Sequence, residues 1–174
     1  KTSPYEFYQF WLNASDESVV DYLKLFTFIS LEEIAALEKD FEMNPGARIA
    51  QRKLAYEVTQ LVHGQLAADA AQEVSQLLFG TGSIIDVSPQ AREILLATAP
   101  KQKVTVGTLL VDVLVETGLA TSKREARTFI ESNAVSVQEQ KVDSIDQVLM
   151  ATDFSDGLSI LRRGKKQLCV LVVE

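Results

Sequence analysis

Through the first 80 positions apolar residues recur at helical spacing; beyond them the runs shorten and begin to alternate. Ser3-Pro4-Tyr5-Glu6 has the spacing of a capping box, with Pro4 at the first helical position, where a missing N–H costs nothing. The helix it opens carries Tyr5, Phe7, Tyr8, Phe10 and Trp11 to about Asn13, a stripe suited to core packing rather than base stacking. Ser15 is the next cap, with Asp16 and Glu17 well placed in a first turn and Val19, Val20, Leu23 and Phe26 facing inward. Ser30 and Glu33 form a further box before Ile34 and Leu37. After the Met43–Gly46 turn the spacing predicts a helix over Ala47–His63, with Leu54, Val58, Leu61 and Val62 inward and Gly64 ending it. A last amphipathic helix covers Ala67–Phe79. Residues 1–80 thus read as a bundle of about five helices with no chemistry of its own.

Residues 81–103 read as a connector, with a short helix from Ser88-Pro89 through Ile94, Leu95 and Leu96 and a flexible joint at Ala99–Lys103. Thr108–Thr117 is a helix with Leu109, Leu110, Val113 and Leu114 on its inner side, ended by a left-handed Gly118. Ser122 and Glu125 then make a capping box for a helix from about Lys123 to Ser132. At 100° per residue, Lys123, Arg124 and Arg127 share one face, and Ala126, Phe129 and Ile130 a neighbouring one. One face docks while the other offers three cations to phosphates, or simply to water. Val135–Val137 and Lys141–Val142 are short strands, and the Gln138-Glu139-Gln140 between them argues against a tight two-residue turn. Leu158–Leu161 and Gln167–Val173 are longer strands, joined by a turn in which Arg162, Arg163, Lys165 and Lys166 surround Gly164. The fold class is an all-helical bundle followed by an α/β unit over residues 104–174.

The net charge of −7 argues at first against a nucleic-acid partner. Its distribution changes that picture. Residues 1–100 hold 7 basic and 14 acidic side chains, and residues 101–174 hold 10 of each. The second part gathers its cations into the basic helix and the Arg162–Lys166 turn, and local clustering governs phosphate contacts more than the total does. If both clusters face one way, six or seven cations follow an RNA backbone. His63 is the only histidine, at a helix end and without companions for a metal site. The single Cys169 sits in an apolar strand, which suits a buried thiol in a reducing cytosol. No run reaches the roughly 18 apolar residues of a membrane span. A start at Lys1 suggests a piece of a longer protein.

Gly118-Leu119-Ala120 followed by Ser122-Lys123-Arg124-Glu125-Ala126-Arg127, in the order helix, capped basic helix, hairpin, resembles the S-four-type RNA-binding module. Lys1-Thr2-Ser3-Pro4-Tyr5-Glu6-Phe7-Tyr8-Gln9-Phe10-Trp11-Leu12-Asn13 closely resembles the bacterial tyrosyl-tRNA synthetases just after their signature loop. So do Leu23-Lys24-Leu25-Phe26-Thr27-Phe28 and Leu61-Val62-His63-Gly64. The resemblance covers nearly the whole chain. It implies a helical anticodon-binding domain over 1–80 and an S-four-like RNA-binding domain over 104–174, together gripping the anticodon and variable arms of tRNA(Tyr). In that family the two regions follow a catalytic domain that activates tyrosine with ATP and magnesium and through which the parent forms a homodimer. The sequence holds no His-Ile-Gly-His-like or Lys-Met-Ser-Lys-Ser-like motif, so the expectation here is cytoplasmic RNA binding without cofactor or catalysis.

The resemblance further implies RNA-contacting roles for Arg162, Arg163, Lys165 and Lys166 in the basic turn and for Lys123, Arg124 and Arg127 on the basic helix. It aligns Asp16 with an aspartate that reads a guanine at the first anticodon position. One carboxylate accepts from both N1–H and N2–H of that base's pairing edge. Asp16 also suits a helix's first turn without any such role. A free-standing S-four-like protein acting on ribosomal RNA is the alternative.

Overall fold

In the computed structural model, residues 2–80 and 82–174 are described, the Asp86 side chain excepted. Lys1 and Thr81, which fall at the start of the synthetase-like stretch Lys1–Asn13 and at the start of the expected connector, lie outside them. The chain divides into two compact units, Lys1–Ser75 and Gln76–Glu174.

The first unit is helical: α1 Pro4–Leu12, α2 Val19–Phe26, α3 Leu31–Met43, α4 Ile49–His63 and α5 Gln65–Phe79, the last running past the unit's end. Ser3 forms the expected reciprocal box with Glu6. Ser30 caps α3 through the Glu33 amide alone, because the Glu33 carboxylate is drawn to Lys53 at 3.0 Å. Val19, Leu23, Ile34, Phe41, Ala50, Leu54 and Val58 close the core, with Phe7 and Trp11 packed against it. Apart from Phe10, which is 69% exposed, the aromatic stripe therefore serves packing: Phe7 meets His63 edge-on at 5.1 Å between ring centroids, and Trp11 meets Tyr22 at 5.8 Å. Leu61 and Val62, expected inward, are 57% and 58% exposed, since the buried stripe of α4 ends at Val58 and Thr59 and the last turn runs beyond the cluster. Phe26, also expected inward, is 44% exposed at the end of α2.

The second unit contains α6 Pro89–Thr98, α7 Leu110–Glu116 and α8 Lys123–Glu131 with a five-stranded sheet. Its strands are β1 Lys101–Val104, β2 Val135–Val137, β3 Gln140–Lys141, β4 Leu158–Arg163 and β5 Gln167–Val173, in the order β1-β5-β4-β2-β3. The expected joint at Ala99–Lys103 is corrected here: Lys101–Val104 pairs in parallel with Val170–Val173 and is an edge strand of the sheet. The remaining strands are antiparallel, with Leu161 opposite Cys169 and Val137 opposite Gln140. Leu110, Val113 and Leu114 of α7 and Ala126 and Ile130 of α8 pack with Val135, Leu161, Cys169 and Leu171. Leu109 stays outside this cluster, 40% exposed, because it precedes the helix and bridges Val148 instead; Val111 is buried in the cluster.

Two local expectations change. Gln138 and Glu139 do form a tight two-residue turn, with φ of 48° and 67°. That is the double left-handed geometry hairpins favour, imposed on two residues that bear its steric cost because β2 is registered on β4 and β3 pairs back onto β2 directly after the turn. The capping box of α8 is also shifted by one residue. Ser122 Oγ accepts from the Glu125 amide at 3.2 Å, but Glu125 Oε2 takes the amide and hydroxyl of Thr121, at 2.6 and 2.7 Å. Thr121 presents two converging donors, whereas the Ser122 amide offers one.

Candidate nucleic-acid interface

The expected cations divide into two groups by what they touch. On α8, Ala126 and Ile130 are buried in the core, so the helix is held by one face, while Arg124 and Arg127 are exposed. Neither arginine side chain makes an ion pair or hydrogen bond among the described residues. Lys123, on the same turn, is instead paired with Asp112 of α7 at 2.6 Å, so its charge is already balanced. Gly118 takes the left-handed φ of 73° that turns the chain from α7 towards this helix.

The β4–β5 turn also divides. Successive strand residues point to opposite faces, so Arg162 and Arg163 lie on opposite sides of the sheet in this structure. Arg163 lies on the face of Leu161, where its guanidinium sits 4.6 Å from the Phe129 ring centroid and donates to the Leu119 carbonyl at 2.7 Å. Arg162, on the face of Ile160, donates to the carbonyl of Leu77, and burial pushes its guanidinium pKa down. Both are half-buried structural residues in this conformation. Lys165 and Lys166 are exposed and unpaired among the described residues. Gly164 enables the turn at φ 61° and donates its amide to Ala134 at 2.8 Å, which anchors the turn beside the end of α8. Lys141, absent from the sequence expectation, donates to the Asn133 carbonyl at 2.9 Å in the same neighbourhood. Its signal was a lone lysine on a two-residue strand, too weak to single out.

Asp16 lies in the first unit, in the loop between α1 and α2, and is exposed. The Ser15 carbonyl accepts from the amides of Ser18 and Val19, so the loop makes a turn, and α2 itself begins only at Val19. Asp16 Oδ1 accepts from the side-chain amide of Gln51 at 2.6 Å. Gln51, completely buried on α4, was not anticipated, because a glutamine on an apolar stripe carries no motif.

A helical unit followed by an α/β unit with a capped, one-face-docked basic helix defines the class. The comparisons give the family. Residues 1–80 match the family described as tRNA synthetases class I (W and Y), and residues 92–171 match the tyrosine–tRNA ligase SYY-like C-terminal domain. The chain is 47% identical over 168 residues to a tyrosine–tRNA ligase of Limosilactobacillus fermentum, covering 95% of this chain and 40% of that one. It is 45% identical over 170 residues to tyrosine–tRNA ligase 1 of Bacillus subtilis, covering 96% and 40%. It therefore belongs to the tyrosine–tRNA ligase family and corresponds to the C-terminal part of its members. A C-terminally truncated mitochondrial tyrosyl-tRNA synthetase of Aspergillus nidulans aligns over 45% of this chain and 23% of its own, at 41% identity and a TM-score of 0.44. The chain spans about two-fifths of the length of the curated relatives it matches.

Proposed function

We propose that the chain binds tRNA(Tyr) as the tRNA-gripping part of a tyrosine–tRNA ligase. In this reading the helical unit serves the anticodon arm, with Asp16 accepting from the pairing edge of a guanine at the first anticodon position. The cations of the second unit serve the phosphates of the variable arm. The observation that carries the reading is α8: a helix docked by one face, whose other face holds Arg124 and Arg127 without internal partners among the described residues. Such a platform suits charge-assisted contacts to a phosphate backbone, because its cations have no internal ion pair to break first. Lys165 and Lys166 extend it, and Lys123 contributes once it exchanges Asp112 for a phosphate.

Tyrosine activation with ATP and magnesium, and pairing of two subunits, belong in this proposal to the part of the family's length outside this chain, in the cytoplasm. Among the described residues no helix is long and apolar enough to cross a membrane. Residues 1–80 match a synthetase family, so the free-standing ribosomal-RNA reading has no observation in its favour. The test is titration of the chain with tRNA(Tyr) and with a second tRNA of different anticodon and variable arm. Tighter binding of tRNA(Tyr) is expected; equal affinity for both overturns the proposal.

A further inference from the structure

The start of α4 is built around the loop that carries Asp16. Gln51 Nε2 donates to Asp16 Oδ1 at 2.6 Å, while Gln51 Oε1, equally buried, has no hydrogen-bond partner among the described residues. The orientation of this amide follows from the contact. Turned over, it would set a carbonyl oxygen against a carboxylate oxygen, two acceptors with no proton between them. Arg48 holds the same loop by its backbone. It occupies the left-handed region at φ 52°, and its Nη2 donates to the carbonyls of Leu12, at 2.8 Å, and Ala14, at 3.3 Å. Three alternate positions, 12, 14 and 16, are thus tied to the N-cap and first turn of one helix.

This arrangement is not what packing alone would select. A methionine or leucine at position 51 would fill similar space and leave no acceptor stranded in the core. The half-paired glutamine makes sense if the carboxylate it holds must keep one orientation while exposed. A freely rotating surface aspartate accepts from almost any donor. One held through Oδ1 presents its remaining lone pairs in a single direction, which suits a base edge with two adjacent N–H donors and rejects one with an acceptor in their place.

We propose that Gln51 is a positioning residue that orients the Asp16 carboxylate for base discrimination, with Arg48 fixing the loop backbone beneath it. The inference rests on the reading of Asp16 as the base-reading residue. It is tested by fluorescence-anisotropy titration of the chain and its variants with tRNA(Tyr) transcripts carrying guanine or adenine at the first anticodon position, with thermal unfolding alongside. The ratio of the two affinities is taken on one preparation, so any unfolded fraction cancels. For Gln51→Met, and for Gln51→Leu as a second variant, unfolding should stay at or above the parent temperature. The guanine preference should fall about tenfold, the size of one charge-assisted hydrogen bond. In an Asp16→Ala background the same changes should do nothing more to the ratio. A preserved ratio in both Gln51 variants, with the ratio lost in Asp16→Ala, overturns the positioning role and leaves Asp16 as reader. A ratio unchanged in Asp16→Ala removes the reading itself, and the inference with it.

Discussion

The guanidinium of Arg163 stacks on the ring of Phe129, 4.6 Å from its centroid, and its Nη1 donates to the Leu119 carbonyl at 2.7 Å. One side chain from β4 thereby ties the basic helix and the segment leading into it to the sheet. A cation that looks from the sequence like a phosphate ligand instead holds in place the element that presents other cations.

Arg163→Ala should therefore destabilise the second unit by about 1–3 kcal/mol, from a lost ring contact and a charged hydrogen bond. Arg163→Lys should recover little of it, because an ammonium keeps the charge but neither the planar stack nor the fork. Denaturant unfolding of the three proteins checks this; a lysine variant as stable as the parent would mean that charge alone matters there.

The Gln138-Glu139 turn predicts a gain. Both residues sit at positive φ, where a side chain costs about 1–2 kcal/mol per residue and asparagine and glycine cost less. Gln138→Asn with Glu139→Gly should raise stability by about 1 kcal/mol or more. An unchanged unfolding midpoint would show that the turn relaxes in solution.

Acid should act on the helix starts. Hydrogen bonds from the Thr121 amide and hydroxyl hold the Glu125 pKa below its ordinary 4.5, and those from Ser3 do the same for Glu6. A carboxylate whose folded pKa is depressed adds stability above its unfolded pKa and loses it as pH falls through the folded value. Stability should thus decline as pH drops below about 4.5, and Glu6→Gln with Glu125→Gln should flatten that decline. Thermal unfolding between neutral pH and pH ~3 reads the difference; parallel curves for parent and variant would rule the two caps out as its source.

The helices were legible because their starts are written locally: Ser3, Ser88 and Ser122 cap where their spacing says. Strand β1 was not, since a four-residue run gains strand character only by pairing with Val170–Val173, far along the chain. The same limit governs the site. Clustering of Arg162, Arg163, Lys165 and Lys166 was visible, but strand alternation turns the arginines to opposite faces, and their acceptors, Leu77 and Leu119, are backbone carbonyls that no sequence motif announces. The Asp16–Gln51 contact joins positions 35 apart and was equally silent.

The division of the cations has a consequence for salt dependence. Arg124, Arg127, Lys165 and Lys166 are free among the described residues, whereas Lys123, Arg162 and Arg163 already have partners. If those four neutralise phosphates, log affinity for tRNA(Tyr) should fall against log salt with a slope of about −2.8 to −3.6, between single-strand and duplex behaviour, and about −3.5 to −4.5 if Lys123 exchanges Asp112 for a fifth. Seven engaged cations would give about −4.9 to −6.3. Replacing Lys165 and Lys166 with alanine should make the slope shallower by about 1.4–1.8 at unchanged unfolding temperature. Replacing Arg162 and Arg163 should do the reverse: unfolding falls, as the Leu77 and Leu119 carbonyls lose their donors, while the slope of the folded protein holds. Titrations at four or more salt concentrations, below the lowest unfolding temperature of the set, separate the two. A slope that drops equally for both pairs would mean that the arginines leave their carbonyls and turn outward when RNA binds.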